Sequence, residues 1–525
     1  MLSRCRHRLR NPVVLLALSA CLGAFVAQSG ELGSSDTTHR LQSTHSFWTA
    51  EPPVFPKEYP EFGVHGRGGK LQSWYGIGQS LLMLPSDIIG TWIEKIPVFD
   101  NYDGTDPSVR NIFVTYTTNV LINLLTALVC FRFLILLRFS RRQAVAGVLA
   151  LLFATTHLHY TQNMMENNYI QLLTLAGFTF QYEWVLSRSR RSLLLGSAAL
   201  GLNLLTRLTT GMDLLAGGIF ITLALWCTHV RGGRLADRLL TYCKNALPLY
   251  AIFLLLDRLY QFYRFGSFFN TYVSAVAKEY KTLNPGAPAN YPWETPFHAG
   301  FLGALFAPEK SIFLFDPLLI LTILVAVCVW KRFSPEIRAY LVAGFLLLVA
   351  YISFYARYTV WSGDFAWGDR YVSTTVELVA FISVPLLLRH RKDLGNFVRI
   401  AGAALIAISC AIQLASLAFW LSLEIYQMET LGHPTFVIAL RFKNIVAFAF
   451  GKMEAWGLNN QAMTEDPWDY IHITTWNFLP FVLRRVGEAP GWVVNLIQGI
   501  WTTGVMALGW VLWRLRQVLR SAEFD

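Results

Sequence analysis

From its N-terminal end the chain alternates between apolar runs of roughly 15 to 25 residues and polar joints, and it does so over most of its length. The first run covers Asn11 to Gln28, the second about Asn111 to Leu137, and the fourth Ile170 to Leu186. Such runs are too long for barrel strands, and only helices or closed barrels cross lipid with every backbone group satisfied. The pattern predicts an all-α fold: a polytopic membrane helical bundle of about twelve spans.

The joints are unequal. Those on one side are short, and the other side carries the long ones among 29–110, 160–168, 206–210, 263–310, 356–370 and 421–487. The first is too long to be a mere connection. It contains "GIGQSLLMLPSDIIGTWI" (Gly76 to Ile93), apolar but broken by Gly76, Gly78, Pro85 and Gly90. That stretch predicts one or two helices lying at the membrane interface, with Trp74 and Trp92 as anchors. In 421–487, "PTFVIALRFKNIVAFAFGK" predicts a further interfacial or re-entrant helix. The organisation expected is a transmembrane module over 1–400 with a large first outer loop, 29–110. C-terminal spans over 401–525 follow, with the outer interfacial segment 421–487.

Composition agrees. Of 525 residues 54% are hydrophobic and only 15% charged, against about 25% in ordinary soluble proteins. The net charge of +11 changes the picture only through its placement. Arg4, Arg6, Arg8 and Arg10 precede the first span, and the even-numbered spans end at Arg138, Arg141 and Arg142; at Arg188, Arg190 and Arg191; at Arg231 and Arg234; at Lys331 and Arg332; at Arg389, Arg391 and Lys392; and at Arg514, Arg516 and Arg520. Every second joint is basic, so the charge reads as a topology signal with both termini cytoplasmic, not as a nucleic-acid surface. The long outer joints contain none of the seven cysteines, so no disulfide framework is implied. Leu18-Ser19-Ala20-Cys21 matches a bacterial lipoprotein signal and is read as part of a retained first span.

Candidate chemistry lies in the outer joints. In "SGELGSSDTTHRLQ", Asp36 falls just past the first span, with Glu31, His39 and Arg40 nearby. Two readings stand: a base that takes a proton from an incoming hydroxyl, or the N-cap of the helix that follows. In "GRGGKLQSWYGIGQS", glycines beside Arg67 and Lys70 suit close approach to a phosphate, or a turn entering the next helix. It is no P-loop, because Lys70 is followed by Leu71 and position 64 is Val64. Glu166, Asn167 and Asn168 open the fourth span, and Arg207 sits in the tight joint "LLTRLTTG". Charges this close to hydrocarbon are costly and invite a functional reading, with an ion pair as the bland one. His157 and His159 are two apart, on different helix faces, and are not read as metal ligands. "WSGDFAWGDRY" brings Asp364, Asp369 and Arg370 with two tryptophans to a span end, suiting a sugar phosphate or an interfacial belt.

With these residues in place the chain resembles the bacterial C-class membrane glycosyltransferases, the protein-O-mannosyltransferase and aminoarabinose-transferase kin with the GT-C fold. The resemblance is carried by "SGELGSSDTTHRL", "GRGGKLQSWYGIGQSLLMLP", "FLGALFAPEKSIFLFDPLL" and "WGDRYVSTTVELVAF", spread over most of residues 1 to 400. It implies transfer of a sugar from a polyprenyl-phosphate donor to the hydroxyl of an envelope glycan, lipid or protein, with inversion. The site would lie on the extracytoplasmic face of a bacterial inner membrane. It implies Asp36 as the base or the group that orients the acceptor, Lys70 against the donor phosphate, Glu166 as a second acid in the cavity, and Arg207 as the arginine of the "L-T-R" joint. Arg67, Tyr75, Asn167, Asp369 and Arg370 complete the expected substrate-binding set. Many relatives carry a second acid after the first, where this chain has Thr37. No cofactor is expected, and a divalent metal is not favoured; the partners are the lipid-linked donor, the acceptor and membrane lipid, with no nucleic acid. The competing classes are a multi-span transporter or flippase of an envelope intermediate, and a non-catalytic envelope-assembly platform.

Overall fold

The computed structural model describes residues 11–55, 63–99, 102, 107–227, 233–364, 366–429, 431–452, 476–486 and 489–520. Arg4, Arg6, Arg8, Arg10, Cys5 and Arg231 lie outside them. The protein is helical almost throughout; a two-stranded antiparallel hairpin, Gly63–His65 with Leu71–Ser73, supplies the strands of the described residues. Among these residues six helices are long and apolar enough to cross a membrane: Val109–Leu136, Leu208–Cys227, Arg234–Phe265, Pro335–Tyr355, Asn396–Ser416 and Gly491–Arg520. The remaining apolar segments form shorter or less apolar helices, several broken. The segment ending at Arg389, for example, divides into Ser373–Ala380 and Ser383–Arg389. This is a multi-pass membrane protein, with large apolar side chains such as Leu215, Trp226 and Val327 turned outward as a lipid-facing surface needs.

Small residues let the helices approach closely. Asn167–Ser187 turns at the left-handed Arg188 and packs along Arg190–Leu204. A Cβ on Gly196 would fall 2.8 Å from the backbone nitrogen of Gln181, so only glycine fits that crossing. Pro12–Ala27 lies between Val109–Leu136 and Gly491–Arg520, so the last helix packs along the first. The Thr156 hydroxyl lies 2.9 Å from both the Asp316 and Glu377 carboxylates.

The first outer loop is built as a rigid platform. Ser34 caps Ser35–His45 through the Thr37 N–H, so the cap is not Asp36, which sits inside the first turn with its charge favoured by the helix dipole. Ile77–Glu94 is a single helix that accommodates Pro85; Trp92 projects outward from it, whereas Trp74 precedes it and turns inward. Fully buried Asp87 ties the platform together, accepting from Arg110 Nε at 2.5 Å and Trp48 Nε1 at 2.8 Å and lying 3.0 Å from His45 Nδ1. Removing one member of such a buried pair strands the other. Asp87→Ala is therefore expected to cost about 2–4 kcal/mol, read as a lowered midpoint of unfolding in detergent. An unchanged midpoint would show that the platform is held elsewhere.

The segment 434–452 forms a helix. Its helix, Val437–Ala449, buries Arg441 completely. The guanidinium donates to both Glu424 oxygens at 2.7 and 2.6 Å, to the Ser416 carbonyl that ends Asn396–Ser416, and to the Phe419 carbonyl just beyond it. Arg441 is thus a helix-end clamp inside the protein.

Candidate active site

Four helix ends meet at one face of the bundle: the start of Asn167–Ser187, the end of Arg190–Leu204, the start of Leu208–Cys227 and the end of Pro335–Tyr355. Arg188 and Lys331 lie by the opposite ends of these helices, and Arg138, which follows Val109–Leu136, pairs there with Glu336. The first outer loop docks on the four ends. Gly78 N–H bonds the Leu205 carbonyl at 2.9 Å, and a Cβ on Gly76 would come within 2.3 Å of the Thr206 carbonyl oxygen. The glycines of "GIG" thus allow backbone to lie on backbone beside Arg207. Thr37 Oγ1 and Gln79 Nε2 both donate to the Met164 carbonyl, which brings the Ser35–His45 helix against Glu166.

Between loop and bundle lies a cavity of about 220 Å³ whose ionisable lining includes Asp36, Arg40, Glu166, Arg207 and Arg370. Asp36 Oδ2 accepts from Arg370 Nη1 at 2.5 Å, and Oδ1 accepts from the Tyr75 hydroxyl at 2.7 Å. Glu166 is gripped by Arg40 at 2.6 Å and by Arg207. Arg40 lies over the Tyr75 ring and Arg207 over the Tyr371 ring, each placing a cation on an aromatic face. Trp74, Tyr272, Tyr291 and Tyr358 complete the walls.

Burial would raise the pKa of Asp36, but Arg370, Arg40 and the Tyr75 hydroxyl reverse this and hold it well below the carboxylate range. Burial likewise opposes the charge of Glu166, and Arg40 and Arg207 overcome it, lowering its pKa to about 2. Both acids are ionised at neutral pH. Their pKa values are depressed on folding, so their stabilisation is present above the unfolded carboxylate range and is lost as pH falls, through about 2 for Glu166. Burial holds His39 neutral at neutral pH, with a pKa of about 4. Three guanidiniums against two carboxylates leave the lining with one excess positive charge. The arrangement is built to take a small anion.

Arg207 also lines a second, larger space of about 660 Å³, walled by Tyr272, Trp293, Phe354, Tyr355 and Tyr371, with Lys278 and Lys281 on one side. The two spaces share Arg207, Tyr272, Val273, Tyr291, Pro292, Tyr358 and Tyr371, so a ligand running through both passes the Arg207 guanidinium.

The expected residues divide. Asp36, Tyr75, Glu166, Arg207 and Arg370 converge on the cavity, although they come from five separate stretches. Arg67 and Lys70 do not line it. Both are exposed on the hairpin, where Gly68 and Gly69 take positive φ to turn the chain outward, and Arg67 lies over Phe262. Asn167 stands behind the cavity, donating to the Arg370 carbonyl and to Ser373, each at 2.7 Å. Asp369 is turned inward, accepting from the Tyr371 N–H, with Lys310 as its charge partner. Lys310 in turn donates to the Asp364, Ala366 and Gly368 carbonyls, so these two residues shape the loop. Trp367 is wholly buried and stacks on His159, serving neither a sugar nor the membrane interface. His157 lies within hydrogen-bond reach of Gln171 and Asn123.

Arg40, a full cavity member, follows Asp36 by four residues, the spacing that puts both on one helix face. That spacing was its signal in the sequence. Tyr272, Tyr291, Tyr358 and Tyr371 carry no such signal, because tertiary folding alone gathers them.

No protein-family model matches the chain, and no curated protein matches it. Among solved structures it is similar to ArnT from Cupriavidus metallidurans bound to undecaprenyl phosphate, with 15% identity, 97% of this chain and 77% of that one covered, and a TM-score of 0.45. It is also similar to the Archaeoglobus fulgidus oligosaccharyltransferase in the apo form, with 12% identity, 82% of this chain and 55% of that one covered, and a TM-score of 0.39.

Proposed function

We propose that the protein is a membrane glycosyltransferase. It moves a sugar from a polyprenyl monophosphate carrier to an acceptor hydroxyl, at the membrane face opposite its basic joints. By the positive-inside rule that face is extracytoplasmic. The observation that carries this reading is the shared cavity: two carboxylates and three arginines with one unbalanced positive charge, at the membrane end of the bundle, open to an aromatic groove. A phosphodiester carries one negative charge and would neutralise the lining. The isoprenoid chain would leave through the groove, and Arg207 at the junction would grip the phosphate.

In the reaction the acceptor oxygen attacks the anomeric carbon as its proton passes to Asp36. The bond from that carbon to the phosphate oxygen breaks, and its electron pair stays on the phosphate. The polyprenyl phosphate thus gains a second negative charge, which fixed guanidiniums stabilise better than water, because they need no reorganisation. Holding the donor by its tail and the acceptor from outside makes the encounter effectively intramolecular. Asp36 opposite the leaving phosphate gives single displacement with inversion.

The test is transfer by purified protein from a radiolabelled polyprenyl-monophosphate sugar to an envelope extract. Turnover is expected with the monophosphate and little with the corresponding diphosphate, whose extra charge the cavity does not balance. A product that retains anomeric configuration by NMR would overturn the displacement proposed, and a folded protein inert with every carrier would overturn the enzyme.

A further inference from the structure

Both oxygens of the carboxylate proposed above are already engaged. Oδ2 accepts from the Arg370 guanidinium and Oδ1 from the Tyr75 hydroxyl, so an acceptor hydroxyl meets a base whose charge is held by a cation. The three arginines are also not equivalent. Arg40 and Arg207 are both anchored on Glu166, whereas the carboxylate paired with Arg370 is Asp36. Moreover, Arg370 Nε and Arg40 Nη1 are buried and make no hydrogen bond among the described residues. A buried donor without an acceptor is costly, and an anionic oxygen brought into the cavity would offer such donors a partner.

We propose that the protein holds its base shut until donor arrives, and that the donor phosphate opens it by taking Arg370 away from Asp36. The inference rests on the lipid-phosphate reading of the site and adds its regulation. Asn167 and the close packing of Gly363 against the Arg370 side chain fix the base of that residue, so the exchange is a movement of the guanidinium alone. The phosphate brings the one negative charge that the lining lacks. Arg370 then holds an anion that needs stabilising during reaction, and Asp36 faces the acceptor with Oδ2 released from its cation.

The exchange also changes basicity. The groups facing Asp36 are Arg370, Arg40 and Tyr75, which favour its charge, with His39 neutral and Glu166 opposing. With Arg370 removed and a phosphate anion added, burial and like charge raise the proton affinity of Asp36. A carboxylate too weak to take a proton in the empty site becomes a competent base only when donor is in place. Water entering first finds no active base, which protects the donor from hydrolysis.

The test uses the full chain in detergent and two readouts. Calorimetry reports binding of farnesyl phosphate, or of inorganic phosphate as the tail-free control. Labelling by dicyclohexylcarbodiimide, which reacts with protonated carboxyls, reports Asp36 through peptide mass spectrometry in mildly acidic buffer. Farnesyl phosphate is expected to raise labelling of Asp36 roughly ten-fold for each unit that its pKa rises. Arg370→Gln is expected to label without ligand, and Tyr75→Phe, which leaves Arg370 in place, to label less than Arg370→Gln but more than the parent. Binding with labelling unchanged or reduced overturns the hand-over and leaves the donor reading standing. Absence of binding overturns both.

Discussion

Asp36→Asn is expected to lower the turnover number by roughly 10²–10⁴-fold, the usual contribution of a positioned general base, while the KM for donor stays level or falls. The split follows from charge. The amide cannot take the acceptor proton, so the chemical step loses its base. The lining meanwhile goes from one excess positive charge to two, which holds an anionic donor at least as well. A merely structural role predicts a different result: Arg370 would lose its partner, the cavity would loosen, and KM and stability would worsen with kcat. Asn Oδ1 still accepts from Tyr75, but its amide group then faces the Arg370 donors, so some loss of thermal stability accompanies the substitution. Initial rates in a membrane preparation given a radiolabelled polyprenyl-phosphate sugar separate the cases. Turnover at the parent rate by a folded Asp36→Asn protein removes this residue from the chemistry.

The bundle was legible because lipid imposes a simple rule, an apolar run bounded by charges, and the basic residues of alternate joints report one end of the spans. What blurs the reading is a helix broken inside the membrane, as at Phe381 and Ile382 between Ser373–Ala380 and Ser383–Arg389, which hydropathy reads as one run. The site was legible where a charge stood against hydrocarbon without an evident excuse, as with Asp36, Glu166 and Arg207. Local composition misleads at "GRGGK": glycines beside basic residues look the same whether they cradle a phosphate or turn a hairpin. Only the positive φ of Gly68 and Gly69, pointing Lys70 outward, separates the two. The tyrosine walls come from 263–310 and 356–371, joints without periodicity, so the sequence held no sign of which faces would close over the cavity.

Arg207→Gln is expected to weaken binding of a polyprenyl monophosphate by roughly 30-fold or more, the range for removing one member of a buried charge pair, about 2–5 kcal/mol. The arginine stands where cavity and groove join, so it is the cation a phosphate meets when its chain lies in one space and its sugar in the other. Glu166 does not become an orphan, because Arg40 still holds it at 2.6 Å. The loss therefore falls on the ligand more than on the fold. Arg207→Lys restores the charge but not the planar fork that reaches Glu166 while lying over Tyr371, and should recover only part of the affinity. The double variant Glu166→Gln with Arg207→Gln decides between direct grip and net charge. It returns the lining to one excess positive charge, so affinity set by charge alone would come back. We expect it to stay low, because the phosphate loses the guanidinium it meets at the mouth of the groove, even with Arg370 drawn to it from the Asp36 side. Full recovery in calorimetry would show that net charge sets the affinity and reduce Arg207 to a counter-charge for Glu166.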